Sequence, residues 1–450
     1  MPNQLVSSRC GVIKMKTIIM AGGRGTRISE LFPDIPKPLI PIDGTPVLER
    51  EICSLASQGF TDIILTVSYL HEKIEEHFGD GSKWGVHIEY FVEDTPLGNA
   101  GALFKLDLKE DFLLLNADAV FDVDFNRMVD FHKSHGGLVT LFTHPNSHPY
   151  DSGLILADEQ GRVEKWLAKE DQRPRYYKNR VNAGLHVISP KVLEAVDGSH
   201  VGEKDPNGRT IKIDLDRQLL KPLAGTGKMF CYDSPEYVKD MGTPERFYAV
   251  VEDYKKGTVQ AKNLKNRQKA VFLDRDGTIN KYVGFLRNID DFELIDGVAE
   301  AIKKINTSGY LAIVVTNQPV IARGEVTVPQ LQEIHNKMET MLGLEGAYVD
   351  AIYYCPHHPH KGYAGEIPEL KIDCDCRKPK PGMLRKAAQD FNVDLGQSYM
   401  VGDGENDVKA GIAAGCKSIL LSAAPNAAQI GQMDTFVSVQ EFVENIYKSE

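Results

Sequence analysis

Residues 270–280 read Ala-Val-Phe-Leu-Asp-Arg-Asp-Gly-Thr-Ile-Asn. The apolar run is strand-length and delivers Asp274 at its carboxyl end, where open α/β sheets place their sites. Asp276 follows two residues on, beside a glycine turn. Paired carboxylates suit two tasks: one attacks phosphorus to form an aspartyl-phosphate, while the other protonates the leaving alcohol and later activates water. A single strand-ending aspartate is often only a cap, but further strand ends supply matching groups. Thr316-Asn317-Gln318 follows the run Leu311 to Val315, Gly402-Asp403 follows Tyr399 to Val401, and Arg377-Lys378 adds positive charge. Val298, Ile302 and Ile305 repeat at helix spacing between the first two strands, which is the pattern of a βαβ unit.

Outward toward the amino terminus, the polar stretch from Tyr254 to Gln268 interrupts the rhythm, and before it short β-rich runs again alternate with helix-period segments. Thr17 to Met20, Val47 to Ala56, Asp62 to Val67 and Glu72 to Phe78 predict a second α/β assembly with a parallel sheet. A chain of 450 residues exceeds one hydrophobic core. The expected division is an extension over 1–14, a first domain over 15–256, a linker over 257–268 and a second domain over 269–450. The net charge of -11 has the wrong sign for neutralising a nucleic-acid backbone, so no nucleic-acid partner is expected. No run approaches the length of a membrane helix, so no membrane partner is expected either. Three of the seven cysteines crowd near histidines, which suits metal binding in a reducing compartment and favours the cytoplasm.

The first domain carries its own phosphate signature. Its opening strand runs into Ala21-Gly22-Gly23-Arg24-Gly25-Thr26-Arg27, and Pro36-Lys37-Pro38 comes shortly after. Glycines let backbone N–H groups approach phosphate oxygens, while Arg24, Arg27 and Lys37 offset charge on a transferring phosphorus and a departing pyrophosphate. Most of residues 15–256 resemble the sugar-1-phosphate nucleotidylyltransferase family, especially its mannose-1-phosphate guanylyltransferase-like members. That resemblance implies a Rossmann-like fold, catalytic Arg24 and Lys37, and nucleotide contacts from Gly22, Gly23, Gly25, Thr26 and Arg27. It also implies a base and ribose segment over Glu93 to Gly101, in which Gly98 permits close approach. By the same resemblance Asp118 and Asp240 hold Mg²⁺, and Glu164, Lys165, Asn182 and Gly184 contact the sugar phosphate. Trp166 stands where many members carry proline, and it reads equally as a core aromatic or a substrate wall.

The second domain resembles the haloacid dehalogenase superfamily of phosphatases over about 269–425. The resemblance makes Asp274 the nucleophile and Asp276 the acid/base, with Thr316, Asn317, Gln318, Arg377 and Lys378 around the phosphoryl group. It assigns Mg²⁺ to Asp274, Asp276 through its carbonyl, and Asp403, with Asp407 orienting the site. Cys355-Pro356-His357-His358-Pro359-His360 and Asp373-Cys374-Asp375-Cys376 offer three thiolates and an imidazole, the donor set of a structural Zn²⁺. Spacing alone leaves His357, His358 and His360 open. The loop resembles that of heptose bisphosphate phosphatases, with histidinol-phosphate phosphatases as near relatives, and this resemblance selects His357 beside Cys355, Cys374 and Cys376. The two resemblances together imply a bifunctional enzyme of GDP-heptose synthesis acting on GTP and heptose phosphates. A homo-oligomer is compatible with this reading. Two alternatives stand beside it: a mannose-1-phosphate guanylyltransferase fused to a phosphatase for another monoester, and a regulatory or scaffold protein with an inactive transferase domain.

Overall fold

The computed structural model describes residues 15–23, 27–28, 30–117, 119–422 and 434–449. The expectations for the extension 1–14 and for Arg24, Gly25, Thr26 and Asp118 lie outside them.

The first half contains β1 (Thr17–Met20), β2 (Asp62–Val67), β3 (His87–Val92), β4 (Phe112–Asn116), β5 (Ala119–Asp122), β6 (Val139–His144), β7 (Leu154–Ala157), β8 (Val163–Leu167), β9 (Val181–Ile188), β10 (Met229–Asp233) and β11 (Tyr237–Asp240). Nine strands form one sheet, in which β8-β7-β9-β4-β1-β2-β3 are successive neighbours and β6 joins β9 to β10. Ile18, Ile19 and Leu113 to Leu115 are fully buried, as expected for central strands covered on both faces. The helices expected from periodicity appear as Val47–Ser57 and His71–Phe78. The expectation of a parallel sheet needs correction, because the β4-β1-β2-β3 portion and the β6-β10 pair are parallel but β9 runs antiparallel to both β4 and β6. The chain reaches β9 through the antiparallel β7-β8 pair, without a crossover helix to keep direction. Separately, β11 pairs antiparallel with β5, placing Asp240 opposite Ala119.

The second half adds β12 (Lys269–Leu273), β13 (Tyr310–Asn317), β14 (Ala351–Cys355), β15 (Tyr399–Gly402), β16 (Lys417–Leu421) and β17 (Asp434–Phe436). They form a fully parallel sheet in the order β14-β13-β12-β15-β16-β17. Strand order reverses at β12, so its carboxyl end is the switch point at which such sheets bind ligands. Asp274 occupies that end.

The polar linker is folded. Thr258–Ala261 is a short helix, and the Gln268 amide donates to the carbonyls of Ala261, Asn263 and Asn266 at 3.0, 2.9 and 3.1 Å. The halves also meet directly. Thr340, in the helix Val328–Leu344, accepts from the Tyr177 N–H at 2.9 Å and donates to the Tyr177 carbonyl at 3.1 Å.

Candidate active sites

At the switch point of the second sheet, Lys378 is 2% exposed and spends all its donors locally. Its ammonium lies 2.8 Å from Asp274, 2.5 Å from Asp407 and 2.8 Å from the Val315 carbonyl. Burial works against that ammonium, but Asp274 and Asp407 outweigh it and hold the pKa above the ordinary lysine value. Asn317 fixes the lysine backbone by donating to the Lys378 carbonyl and accepting from its N–H, both at 3.0 Å. Carboxylate oxygens of Asp274, Asp403 and Asp407 come within 4.8 Å of one another. Burial, with Asp407 alongside, pushes Asp274 up to about 6, and burial with Asp274 alongside pushes Asp403 up to about 6. A Cβ on Gly277 would meet Asp403 at 1.9 Å, so only glycine permits this approach. Three crowded carboxylates against one lysine leave excess negative charge that a hard dication fits.

Asp276 points elsewhere. Its carboxylate accepts from Arg275, from Gln318 at 2.9 Å and from Asn280 at 3.1 Å. Gln318 also donates to the Thr316 hydroxyl at 2.9 Å, which ties the β13 end to Asp276. This geometry suits an acid/base separate from the nucleophile. Arg275, Asn280 and Asp407 gain importance here. Asp407 both pairs with Lys378 and accepts from the Gly404 N–H at 3.0 Å, so it ties the Lys378 cluster to the amino end of the helix Glu405–Ala414.

The Cys/His loop converges as its chemistry demands. Cys355, His357, Cys374 and Cys376 place ligand atoms within 4.8 Å of one another. The sulfur pairs stand 3.5, 3.3 and 3.2 Å apart, and His357 Nδ1 lies 3.3 Å from Cys376. Tetrahedral Zn²⁺ with sulfur at about 2.3 Å has S–S edges of roughly 3.8 Å, so a slight expansion admits the ion. Contact with the Cys355 thiol, against burial and with help from Cys374 and His357, pushes the Cys376 thiol down to about 5. His358 instead packs near Arg323 and His360. Arg377 donates to the His357 carbonyl at 3.1 Å, joining the loop to the phosphate groups.

In the first half, Arg27, Lys37 and Asp240 surround Gly242, where a Cβ would lie 3.3, 3.4 and 2.9 Å from their side-chain atoms. Lys37 stands 3.9 Å from Asp240, whose other oxygen pairs with Arg246, a residue the motif reading missed. Gly22 and Gly23 follow β1 after Ala21, and a Cβ on Gly23 would meet nothing within 4 Å. A cavity of about 730 Å³ adjoins this centre and is lined by Asn182, Gly184, Trp166 and Asp240. Trp166 is thus both largely buried and a cavity wall. Glu164 and Lys165 are exposed on β8 and do not line it. Gly184 has φ +77° and a Cβ there would crowd Asn116 at 2.5 Å. Gly98, with φ +87°, approaches the Ile213 carbonyl, which a Cβ would meet at 2.3 Å. Its close approach in the structure is therefore to the chain itself.

The fold and sites define a two-part transferase and hydrolase. The chain belongs to the nucleotidyl transferase family, matched over residues 16–257, and to the haloacid dehalogenase-like hydrolases, matched over residues 187–415. The matches overlap across 187–257, which the sheets assign to the first half, since the hydrolase sheet begins at Lys269. The D-glycero-β-D-manno-heptose-1,7-bisphosphate 7-phosphatase of Haemophilus ducreyi is 47% identical over 155 residues, covering 34% of this chain and 82% of the relative. That of Escherichia coli K12 is 44% identical over 158 residues, covering 35% and 81%. HddC from Yersinia pseudotuberculosis has a TM-score of 0.43 at 23% identity, covering 53% of this chain and 99% of its own. No helix among the described residues is long and apolar enough to cross a membrane.

Proposed function

We propose that the second half removes the 7-phosphate of D-glycero-α-D-manno-heptose 1,7-bisphosphate and the first half transfers GMP from GTP to the resulting 1-phosphate. The products are GDP-heptose and pyrophosphate. The observation that carries this reading is the pairing on one chain: a nucleotidyl transferase beside a phosphatase half whose relatives are named for a heptose bisphosphate. One domain then makes what the other consumes.

In the phosphatase, Asp274 attacks phosphorus, Arg377 and Thr316 hold phosphoryl oxygens, and Lys378 joins them by turning a donor from its local acceptors to the phosphoryl group. Asp276 protonates the departing sugar hydroxyl, then takes a proton from the water that opens the aspartyl-phosphate. In the transferase, Arg27 and Lys37 stabilise the triphosphate with Arg24, Gly25 and Thr26, and Asn182 and Gly184 hold the acceptor in the cavity, with Glu164 and Lys165 reaching it only by a movement of β8. The acceptor phosphate attacks the α-phosphorus directly, so no protein nucleophile is needed. Asp274 and Asp403 with the Asp276 carbonyl, and Asp240 with Asp118, would each hold Mg²⁺, which neutralises phosphate charge. Cys355, His357, Cys374 and Cys376 would hold a structural Zn²⁺. The domain limits follow as 15–256 and 269–450, with a cytoplasmic setting.

A second reading, the β-anomer as phosphatase substrate, is favoured by the names of the relatives. Purified protein is given each anomer with GTP or ATP. Formation of GDP-heptose from the α-bisphosphate supports the proposal, whereas preference for the β-bisphosphate or for ATP overturns it. Asp274→Asn should block synthesis from the bisphosphate yet permit it from heptose 1-phosphate, as read by pyrophosphate release.

A further inference from the structure

Arg275 is the bulkiest of the fully buried side chains, at 0% exposure, and it lies between the two aspartates of the phosphatase motif. Its guanidinium folds back on its own neighbour. Nε donates to Asp276 Oδ1 at 3.1 Å, and Nη2 donates to Oδ1 at 3.0 Å and to Oδ2 at 2.9 Å. The remaining nitrogen, Nη1, lies 3.2 Å from Nε2 of His335. His335 sits in the helix Val328–Leu344, buried, and belongs to neither phosphate motif. A guanidinium offers only donors, so His335 must present a lone pair at Nε2 and carry its proton on Nδ1. Burial and the adjacent Arg275 both hold its pKa well below the ordinary histidine value, which keeps the ring neutral.

We infer that His335 is a positioning residue of the phosphatase: by accepting from Arg275 Nη1 it locks the guanidinium, which in turn fixes the carboxylate of Asp276. The inference rests on Asp276 being the acid/base. Without His335, one guanidinium nitrogen becomes a buried donor without a partner, and the cation gains freedom to turn toward other acceptors. Asn280 and Gln318 still contact Asp276, but each holds one oxygen, whereas Arg275 spans both. The carboxylate would then lose the fixed direction that proton delivery to a leaving oxygen requires.

The test compares His335→Leu, His335→Gln and Asp276→Asn in the full chain, on heptose 1,7-bisphosphate and on p-nitrophenyl phosphate. The sugar alcohol is a poor leaving group that needs the proton, and nitrophenolate leaves without it. His335→Leu should lower kcat on the bisphosphate about 10- to 100-fold with little change in KM, and lower it less on the nitrophenyl ester. His335→Gln, whose Oε1 still accepts, should retain most activity, and pyrophosphate release by the transferase should be unchanged in both. Equal losses on the two substrates, or a glutamine variant as poor as the leucine one, would overturn the inference. Full activity of Asp276→Asn would remove the acid/base reading itself, while a dead Asp276→Asn beside an active His335→Leu removes only the role of His335. Should the leucine variant fail to fold, ¹⁵N shifts of labelled wild type, assigned with His335→Gln, decide. An unprotonated Nε2 supports the inference and a protonated one refutes it.

Discussion

Lys378 shows how much one side chain carries. It is the cation that bridges Asp274 and Asp407 in a buried pocket, and its third donor holds the end of β13 through Val315. Removing one member of a buried charge group leaves the others uncompensated, at a cost of about 3–5 kcal/mol. Lys378→Met should therefore lower the melting temperature of the phosphatase half and abolish its activity while pyrophosphate release by the transferase continues, as parallel calorimetry and assays would show. At this scale the phosphatase site was largely legible, because its motifs end strands and therefore meet at one sheet edge. Asp274, Asp403 and Lys378 lie far apart in sequence yet share that edge. His335 was not legible. It lies within a helix whose periodicity announces only burial, and nothing local marks the histidine that meets Arg275.

The Cys/His loop is an element whose order would depend on the metal its four ligand residues could hold. Between β14 and the helix Gly382–Phe391, among the described residues, the only regular structure is the single turn Pro368–Leu370. Backbone ladders hold little of it, and the Cys/His cluster draws its two ends together. Arg377 and Lys378 follow Cys376 directly, and Arg377 is tied to the His357 carbonyl. Cys374→Ser should thus empty the site, measurable as bound zinc falling from about one per chain, the closed-site stoichiometry, toward zero. Phosphatase KM should rise roughly 10- to 100-fold as the phosphate groups lose their anchor. The regular elements were read well where burial and period agree, as in Val47–Ser57 and Val298–Asn306. The antiparallel course of β9 was not, because alternation of strands and helices cannot report strand direction.

At the scale of the whole molecule, the phosphatase site and the transferase cavity face different edges of the second sheet. Asp274 lies at the carboxyl end of β12, whereas Asn306, Tyr348 and Asp350, near the amino ends of β13 and β14, line the cavity with Asn182 and Asp240 of the first half. A five-residue strand spans roughly 17 Å, so under the proposed function the dephosphorylated sugar would leave one site before entering the other. Unlabelled heptose 1-phosphate added during turnover of labelled bisphosphate should therefore dilute the label in the nucleotide sugar to the ratio in solution. The contacts that join the halves were invisible in the sequence, since a polar linker reads as a spacer until its partners are known. Glu236 ties the linker to the first half. One of its oxygens accepts from the N–H groups of Asp124 at 2.8 Å and linker residue Leu264 at 2.9 Å, and the other accepts from the Ser234 hydroxyl at 2.9 Å. Burial pushes its pKa up to about 7 against these stabilising bonds. The folded chain then keeps a proton that the unfolded chain releases near the ordinary glutamate value of 4.5, so this group's contribution is complete below pH 4.5 and lost as pH rises through 7. The loss is on the order of 3 kcal/mol. Glu236→Gln imitates the protonated form, accepting from both N–H groups while its amide donates to Ser234, and it cannot titrate. Melting temperatures of the two proteins should lie close together at pH 5 and separate by a few degrees at pH 8, with the glutamine variant the more stable. A gap that stays constant across this range would mean that Glu236 is ionised throughout in the folded chain.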